Sequence, residues 1–404
     1  MGQENSKFKI FQKFTLTTAL YRELNMIATV KHCTTILFAI LLVSCGGGGS
    51  VGDFCIELYT PGYAGGFQIL GAEGRQSTII RTHNPWQGAD GIDTELFVAR
   101  DGETPPAGFA GQVVRTEPQR IICMSSTHIA MLDAIGAVGR IVGVSGADYI
   151  TNEYISARRD STGDVGYEGN IDYELIVALR PDLVLLYGLN GASSMESKLR
   201  ELRIPFAYVG DYLEESPLGK AEWMVAVGEM LGRRTEAEAI YRRIPERYEA
   251  LKNLAASARS PKPSVMLNTP YGDTWFMAPM TSYMAQMIAD AGGDYVYKKN
   301  TTTRSLPIDM EEAALLVAQS DVWLNVGNIT ALAGLQRSLP RFADARCVRE
   351  GRVWNCNRRI NSAGGNDYWE SGIVRPDVIL SDLIKILHPE LLPDHQLYYY
   401  RRVE

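Results

Sequence analysis

Hydrophobic positions along most of this chain follow two alternating patterns. Short, wholly apolar runs give way to stretches with helical spacing, and Gly, Pro or Asp marks the joins. Residues 120–124, RIICM, predict a buried strand, and Ser125, Ser126 and Thr127 offer capping side chains for a following helix. Residues 171–187, IDYELIVALRPDLVLLY, predict an amphipathic helix, a Pro-Asp stop and a continuous apolar strand. Residues 195–202 and 204–209 repeat helix and strand. Strands apolar at every position, alternating with helices, imply a parallel sheet covered on both faces. Ligands in such sheets gather at the C-terminal strand ends, which here begin loops near Ser125, Gly146, Gly188 and Gly210.

A helical tract follows at about 218–256, where Pro245 should break or kink it. The αβ pattern then restarts. Strands are expected at 264–268 and 321–326, helices at 280–291, 308–319 and 376–387, and the far arm of a hairpin at 352–355. IDYELIVALRPDLVLL at 171–186 is echoed by IDMEEAALLVAQSDVWLNV at 308–326, each with a carboxylate at the helix start and Asp before the strand. Upstream, FQIL, STIIRTHNP and ELFVAR read as a small β meander. The fold class is α/β: two similar lobes joined by a mostly helical segment. The expected organisation is a signal region at 1–44, a tether at 45–53, meander and linker at 54–115, and a first lobe at 116–216. A helical bridge at 217–260 and a second lobe at 261–404 complete it.

The N-terminal pattern is different. TTILFAILLV at 34–43 follows Lys31 and His32 and precedes Ser44, Cys45 and GGGGS. A short basic region, an apolar core and small residues before the cleavage point make a secretory signal. The core is too short for a comfortable membrane span. Leu42-Val43-Ser44-Cys45 is similar to a bacterial lipobox, which makes Cys45 the lipidated first residue of the mature chain and Gly46 to Gly49 a flexible tether. Met26 would start a more compact signal than Met1.

Composition narrows the function classes. The 404 residues are 46% apolar and carry a formal charge of -7. Neither a disordered chain nor a nucleic-acid binder fits these values. Loss of residues 1–44 leaves 360 residues with 35 basic and 45 acidic side chains, formally -10. Cys55, Cys123, Cys347 and Cys356 then remain besides Cys45. A Cys347–Cys356 bridge across a turn at Glu350-Gly351 is one open pairing, and no zinc spacing is present.

No phosphate loop, no nucleophile elbow and no GxGxxG in the strand-turn-helix setting that dinucleotides require occurs in the sequence. Ser125 to Thr127 read as a cap and His128 as a polar residue of the first turn, or as a cap on a ligand cleft whose free N–H groups meet anions. Tyr149, Tyr154, Tyr167 and Tyr187 lie near loop or strand ends in lobe one; Tyr271, Trp275, Tyr368 and Trp369 do so in lobe two. Aromatics at strand mouths suit a large flat organic ligand. Arg304, Arg358 and Arg359 could hold carboxylates, and Asn328 follows a lobe-two strand. His128 and Tyr271 could approach a metal-bearing ligand from opposite lobes, while no compact His, Asp or Glu cluster predicts a bare-ion site. Glu174 and the pair Glu311/Glu312 begin matching helices, where they complement the helix dipole or engage arginine pockets of a partner.

The segments 120–146, 170–188, 271–279, 290–297 and 364–390 together resemble the substrate-binding proteins of ATP-binding-cassette (ABC) importers for iron-siderophores, haem and cobalamin, and in particular the lipoprotein members of Bacteroidetes-like bacteria. The resemblance spans roughly 117–390. It implies two αβ lobes on a rigid backbone helix, and a monomer that captures a chelate in the cleft without bond cleavage. The chelate would pass to a permease and its ATPase. Thr127, His128, Gly188, Trp275, Asn328 and Arg358 would lie near the ligand, while Glu174 and either Glu311 or Glu312 would touch the permease. No cofactor is implied beyond the bound ferric siderophore, haem or cobalamin. Cobalamin would favour an aromatic clamp with few charges; the arginines tilt towards an iron chelate or haem. A chelate-processing enzyme using His128, or a scaffold lipoprotein on the same fold, are the rivals. The meander would pack on a lobe, cover the cleft or join a partner.

Overall fold

The computed structural model describes residues 50–404 apart from Thr116, Asn190 and Ser260. Cys45 and Met26 lie outside the described residues. Gly52–Pro105 and Ala110–Glu404 form one unit. Ser50, Val51 and Pro106–Phe109 belong to another, in which Ser50 bridges Ala107.

Lobe one is built on a parallel five-stranded sheet. Its strands run, in spatial order, Phe206–Tyr208, Leu183–Leu186, Ile121–Cys123, Ile141–Val144 and Gly163–Asp164. Ile121, Cys123, Leu183 and Leu185 face one core, while Ile122, Val184, Leu186 and Phe206 face a second. Both faces are therefore covered, as the unbroken apolar runs require. Lobe two repeats the plan with Asp294–Tyr295, Ser264–Leu267, Val322–Leu324 and Val353–Asn355 in parallel, and Arg401–Arg402 antiparallel at the edge. The stretch before Val353 is the Arg346–Arg349 helix, not a hairpin arm. Cys347 sits in that helix, Cys356 lies past the strand, and both thiols are free, so the bridge considered above does not form.

The two echoing helices share their capping chemistry. Asp172 accepts from the Leu175 N–H at the start of Tyr173–Leu179, and Asp309 from the Glu312 N–H at the start of Met310–Gln319, each at 2.8 Å. Glu174 and Glu311 are thus both the second helical residue after an Asp cap. Glu312 is one position further on.

The connection between the lobes is three helices: Pro217–Met230, Arg234–Tyr241 and Arg243–Ala256. Pro245 lies in the first turn of the last one, where its missing N–H costs no helical bond. The interruption predicted at this proline is thus a helix restart at Arg243. Every residue of Pro217–Met230 is buried, which demands cover all round. The meander supplies part of it.

The meander has five strands: Ile56–Tyr59, Phe67–Gly71, Thr78–His83, Asp93–Val98 and Gln112–Val114. The first four pair antiparallel and the last is parallel. Phe67 packs on Trp223 of the central helix, with ring centres 5.0 Å apart. Glu222 of that helix accepts from the Tyr59 hydroxyl and from the backbone N–H groups of Gly62, Tyr63 and Ala64, all at 2.7–2.8 Å. Two turns on, Glu229 accepts from the Thr78 hydroxyl at 2.7 Å. The lobes also clasp each other directly. Glu370 accepts from Thr151 N, Thr151 Oγ1 and Asn152 N at 2.7–2.9 Å, and Asn361 Nδ2 donates to the Asp148 and Ile150 carbonyls. Gly365 lies so near that a Cβ there would fall 2.0 Å from the Tyr149 carbonyl oxygen.

Candidate functional site

The strand ends of lobe one, the start of the central helix and the 368–376 segment of lobe two enclose a cavity of about 280 Å3. Lobe one contributes Thr127, just after the Ile121–Cys123 strand, and Asp211 and Tyr212, just after Phe206–Tyr208. Pro217 and Lys220 come from the central helix, and Tyr283, Tyr368, Trp369, Gly372, Ile373 and Pro376 from lobe two. The site therefore sits where the topology of a parallel sheet directs it.

Its walls are aromatic and its polar groups are few. The Tyr283 and Tyr368 hydroxyls lie 2.6 Å apart, and Tyr368 also approaches the Met284 sulfur at 2.9 Å. Trp369 stands edge-on to Tyr368 with 4.6 Å between ring centres and keeps 54% of its surface exposed. Burial raises the pKa of the Tyr212, Tyr283 and Tyr368 hydroxyls, so the cavity meets neutral phenols near pH 7. The Lys220 ammonium donates to the carbonyls of Asp211 and Tyr212 at 3.0 and 3.1 Å, and burial lowers its pKa against the pull of Asp211 and Glu214. Asp211 Oδ1 accepts from the Thr127 hydroxyl at 3.3 Å. Burial pushes the Asp211 carboxyl up to about 6, against Lys220 and Thr127.

The meander reaches this site through Tyr212. The Tyr212 hydroxyl donates to the Gly188 carbonyl and accepts from the Gln87 N–H at 3.1 Å, and Trp86 forms a β-bridge with Gly188. Among the expected roles for the meander, packing is the one observed: it rests on the central helix and braces one cavity wall.

Of the residues singled out in the sequence, Thr127, Tyr368 and Trp369 meet at the cavity. Gly188 is buried one hydrogen bond behind Tyr212. The others are elsewhere. Trp275 is 0% exposed, because its indole N–H bonds the Leu267 carbonyl at 3.0 Å and its ring packs on Trp323 and Phe342; it is a core residue, not a cleft aromatic. His128 is also 0% exposed inside lobe one, with neither ring nitrogen at full hydrogen-bond geometry to a described partner. Burial lowers its pKa to about 3, despite an opposing contribution from the Leu185 carbonyl, so it is a neutral interior group and neither a ligand contact nor a base. Tyr149 packs on Tyr167 and against Gly365 in the interlobe clasp. Tyr271 (84% exposed), Arg304, Asn328 and Arg358 are surface residues off the cavity lining. Arg359 pairs with Asp367 at 2.6 Å and stacks on Tyr398. Among the described residues no three His, Cys, Asp or Glu side chains cluster as a metal site.

Asp211, Tyr212, Lys220 and Tyr283 escaped the sequence reading. Gly210 did mark the loop carrying the first two. Nothing local flagged Lys220, since a lysine in a helix is normally solvated. A larger cavity, of about 620 Å3, lies beside the clasp. Many of its charges are already spent, in Arg359–Asp367, Arg247–Asp377 and the Glu370 bonds. The outward carboxylates Glu311 and Glu312 pair with Arg341 and Lys299, and Glu174 is exposed.

Known proteins agree with this architecture. An uncharacterized lipoprotein of Methanocaldococcus jannaschii is 27% identical over 324 residues, covering 76% of this chain and 75% of that protein. An ABC transporter substrate-binding lipoprotein of Bacillus subtilis is 19% identical, covering 62% and 77%. A periplasmic heme-binding protein from Pseudomonas aeruginosa superposes with a TM-score of 0.54 at 19% identity, covering 71% of this chain and 98% of that one. Residues 121–359, more than half the sequence and spanning strands of both lobes, match one family description, and the chain belongs to the periplasmic binding protein family.

Proposed function

We propose that this protein is the lipid-anchored, extracytoplasmic receptor of an ABC importer, taking up an iron chelate, haem or cobalamin between its lobes and handing it unaltered to a permease. The observation that carries this reading is the aromatic cavity at the strand ends, where Tyr212, Tyr283, Tyr368 and Trp369 offer broad apolar contact with a few hydroxyls. The lipobox at 42–45 and the lipoprotein relatives support the anchor. Glu174 and Glu311, matched in position at the ends of equivalent helices, are the carboxylates for the permease, and its ATPase supplies the energy. The chelate-processing alternative loses its residue, because His128 is sealed in the lobe.

Titration of the purified protein with hemin, cyanocobalamin and ferric siderophores tests the proposal. One-to-one saturable binding of one class, with the chelate recovered unchanged, is expected. Turnover of the chelate, or no binding in any class, would overturn it. Binding should quench Trp369 fluorescence, and Trp369→Ala should weaken affinity about ten-fold, within the range for loss of a well-packed aromatic contact.

A further inference from the structure

Asp211 is 2% exposed and lines the cavity, yet only one of its two carboxylate oxygens is engaged. Oδ1 takes the Thr127 hydroxyl, and Oδ2 is buried with no hydrogen-bond partner among the described residues. The nearby Lys220 ammonium steadies the carboxylate through space but donates to the Asp211 and Tyr212 carbonyls and not to Oδ2. A buried acceptor left open is costly unless something arrives to fill it. Among the described residues no arginine lines this cavity, and its lysine, Lys220, already donates to two backbone carbonyls, so a ligand carboxylate would meet a buried oxygen acceptor without a guanidinium fork to offset it.

Resting on the receptor reading above, the geometry points to Asp211 as a subsite for a hydrogen-bond donor of the bound chelate, so that the cavity selects chelates with amide or amine groups on their rim over those bearing carboxylates alone. Thr127 is its positioning residue, holding Oδ1 and leaving Oδ2 for the ligand. The acceptor is strongest when ionised. Burial sets its pKa at about 6, Lys220 from the central helix, Thr127 and its own backbone N–H pull it down, and Glu214 pushes it up. Affinity for a donor-bearing chelate therefore rises between pH 5 and pH 7.5.

The test compares matched ligands on the unmodified protein by calorimetry: dicyanocobinamide against its heptacarboxylate counterpart cobyrinic acid, and ferrichrome against ferric dicitrate, with hemin as the propionate case. The amide-bearing member of a pair should bind at least ten-fold tighter, more so at pH 7.5 than at pH 5. Asp211→Asn, shown folded by its melting curve, should lose at least ten-fold in affinity for that member and lose the pH dependence. Equal or tighter binding of the carboxylate member or of hemin, or wild-type affinity in Asp211→Asn, would overturn the subsite and leave the receptor reading standing. Failure of every chelate to bind would overturn both.

Discussion

The indole of Trp275 is closed in by Trp323 and Phe342, with ring centres 5.6 Å away, whereas Trp369 leaves half its surface open at the cavity. Their substitutions should separate stability from binding. Trp275→Ala removes a fully buried ring and a satisfied N–H, at a cost of about 3–5 kcal/mol. Urea unfolding should register that loss, while the affinity of the protein that remains folded stays at the wild-type value. Trp369→Ala, at a surface position, should change the unfolding free energy by less than about 0.5 kcal/mol and act on binding instead. The same indole chemistry serves both positions; the difference lies in what packs against each ring.

At the scale of elements, the meander and the central helix are joined by carboxylates as well as by a shared apolar core. Glu222 and Glu229 are seven residues apart, two helical turns, and so project from one face towards the meander. Glu214 adds bonds to Gly66 N at 3.0 Å and to the Trp223 indole N–H at 2.9 Å. Glu222→Ala would leave three backbone N–H groups of the 62–64 segment without their acceptor, and should destabilise by at least about 3 kcal/mol. Limited proteolysis is the sensitive readout: cleavage within 54–100 should appear in the variant well below its global melting temperature and be absent from wild type. A unit that melted in one step with unchanged cleavage would mean that the loop finds water as readily as it finds Glu222.

For the molecule as a whole, the interlobe clasp carries a titratable group. Glu370 is 3% exposed, and burial raises its pKa from 4.5 to about 7 even though Thr151 and Asn152 donate to it. A carboxyl raised in the folded state binds protons there that the unfolded chain has already released. Its contribution is therefore full below about pH 4.5 and is lost as pH climbs through 7, a span on the order of 3 kcal/mol. The stability gap between wild type and Glu370→Gln should accordingly narrow from pH 5 to pH 8, measured by denaturant midpoints. A gap that widened instead would mean that the three donors outweigh burial.

Much of this design is legible along the chain. Unbroken apolar runs such as LVLL and VWL mark strands buried on both faces, Asp172 and Asp309 announce helix starts through their own capping bonds, and Pro376 opens the last helix. Those features depend on neighbours within a few residues, so the sequence by itself determined two parallel lobes, their internal echo and the lipobox. Which aromatic faces the ligand, which carboxylate stays unpaired and whether His128 sees solvent were decided only by the tertiary structure. Each depends on groups far away in sequence: Asp211 on Thr127, Tyr212 on Gln87, Glu370 on Thr151. Periodicity records that a face is buried, but not what covers it, and in a low-dielectric interior the covering groups set charge, hydrogen bonding and access.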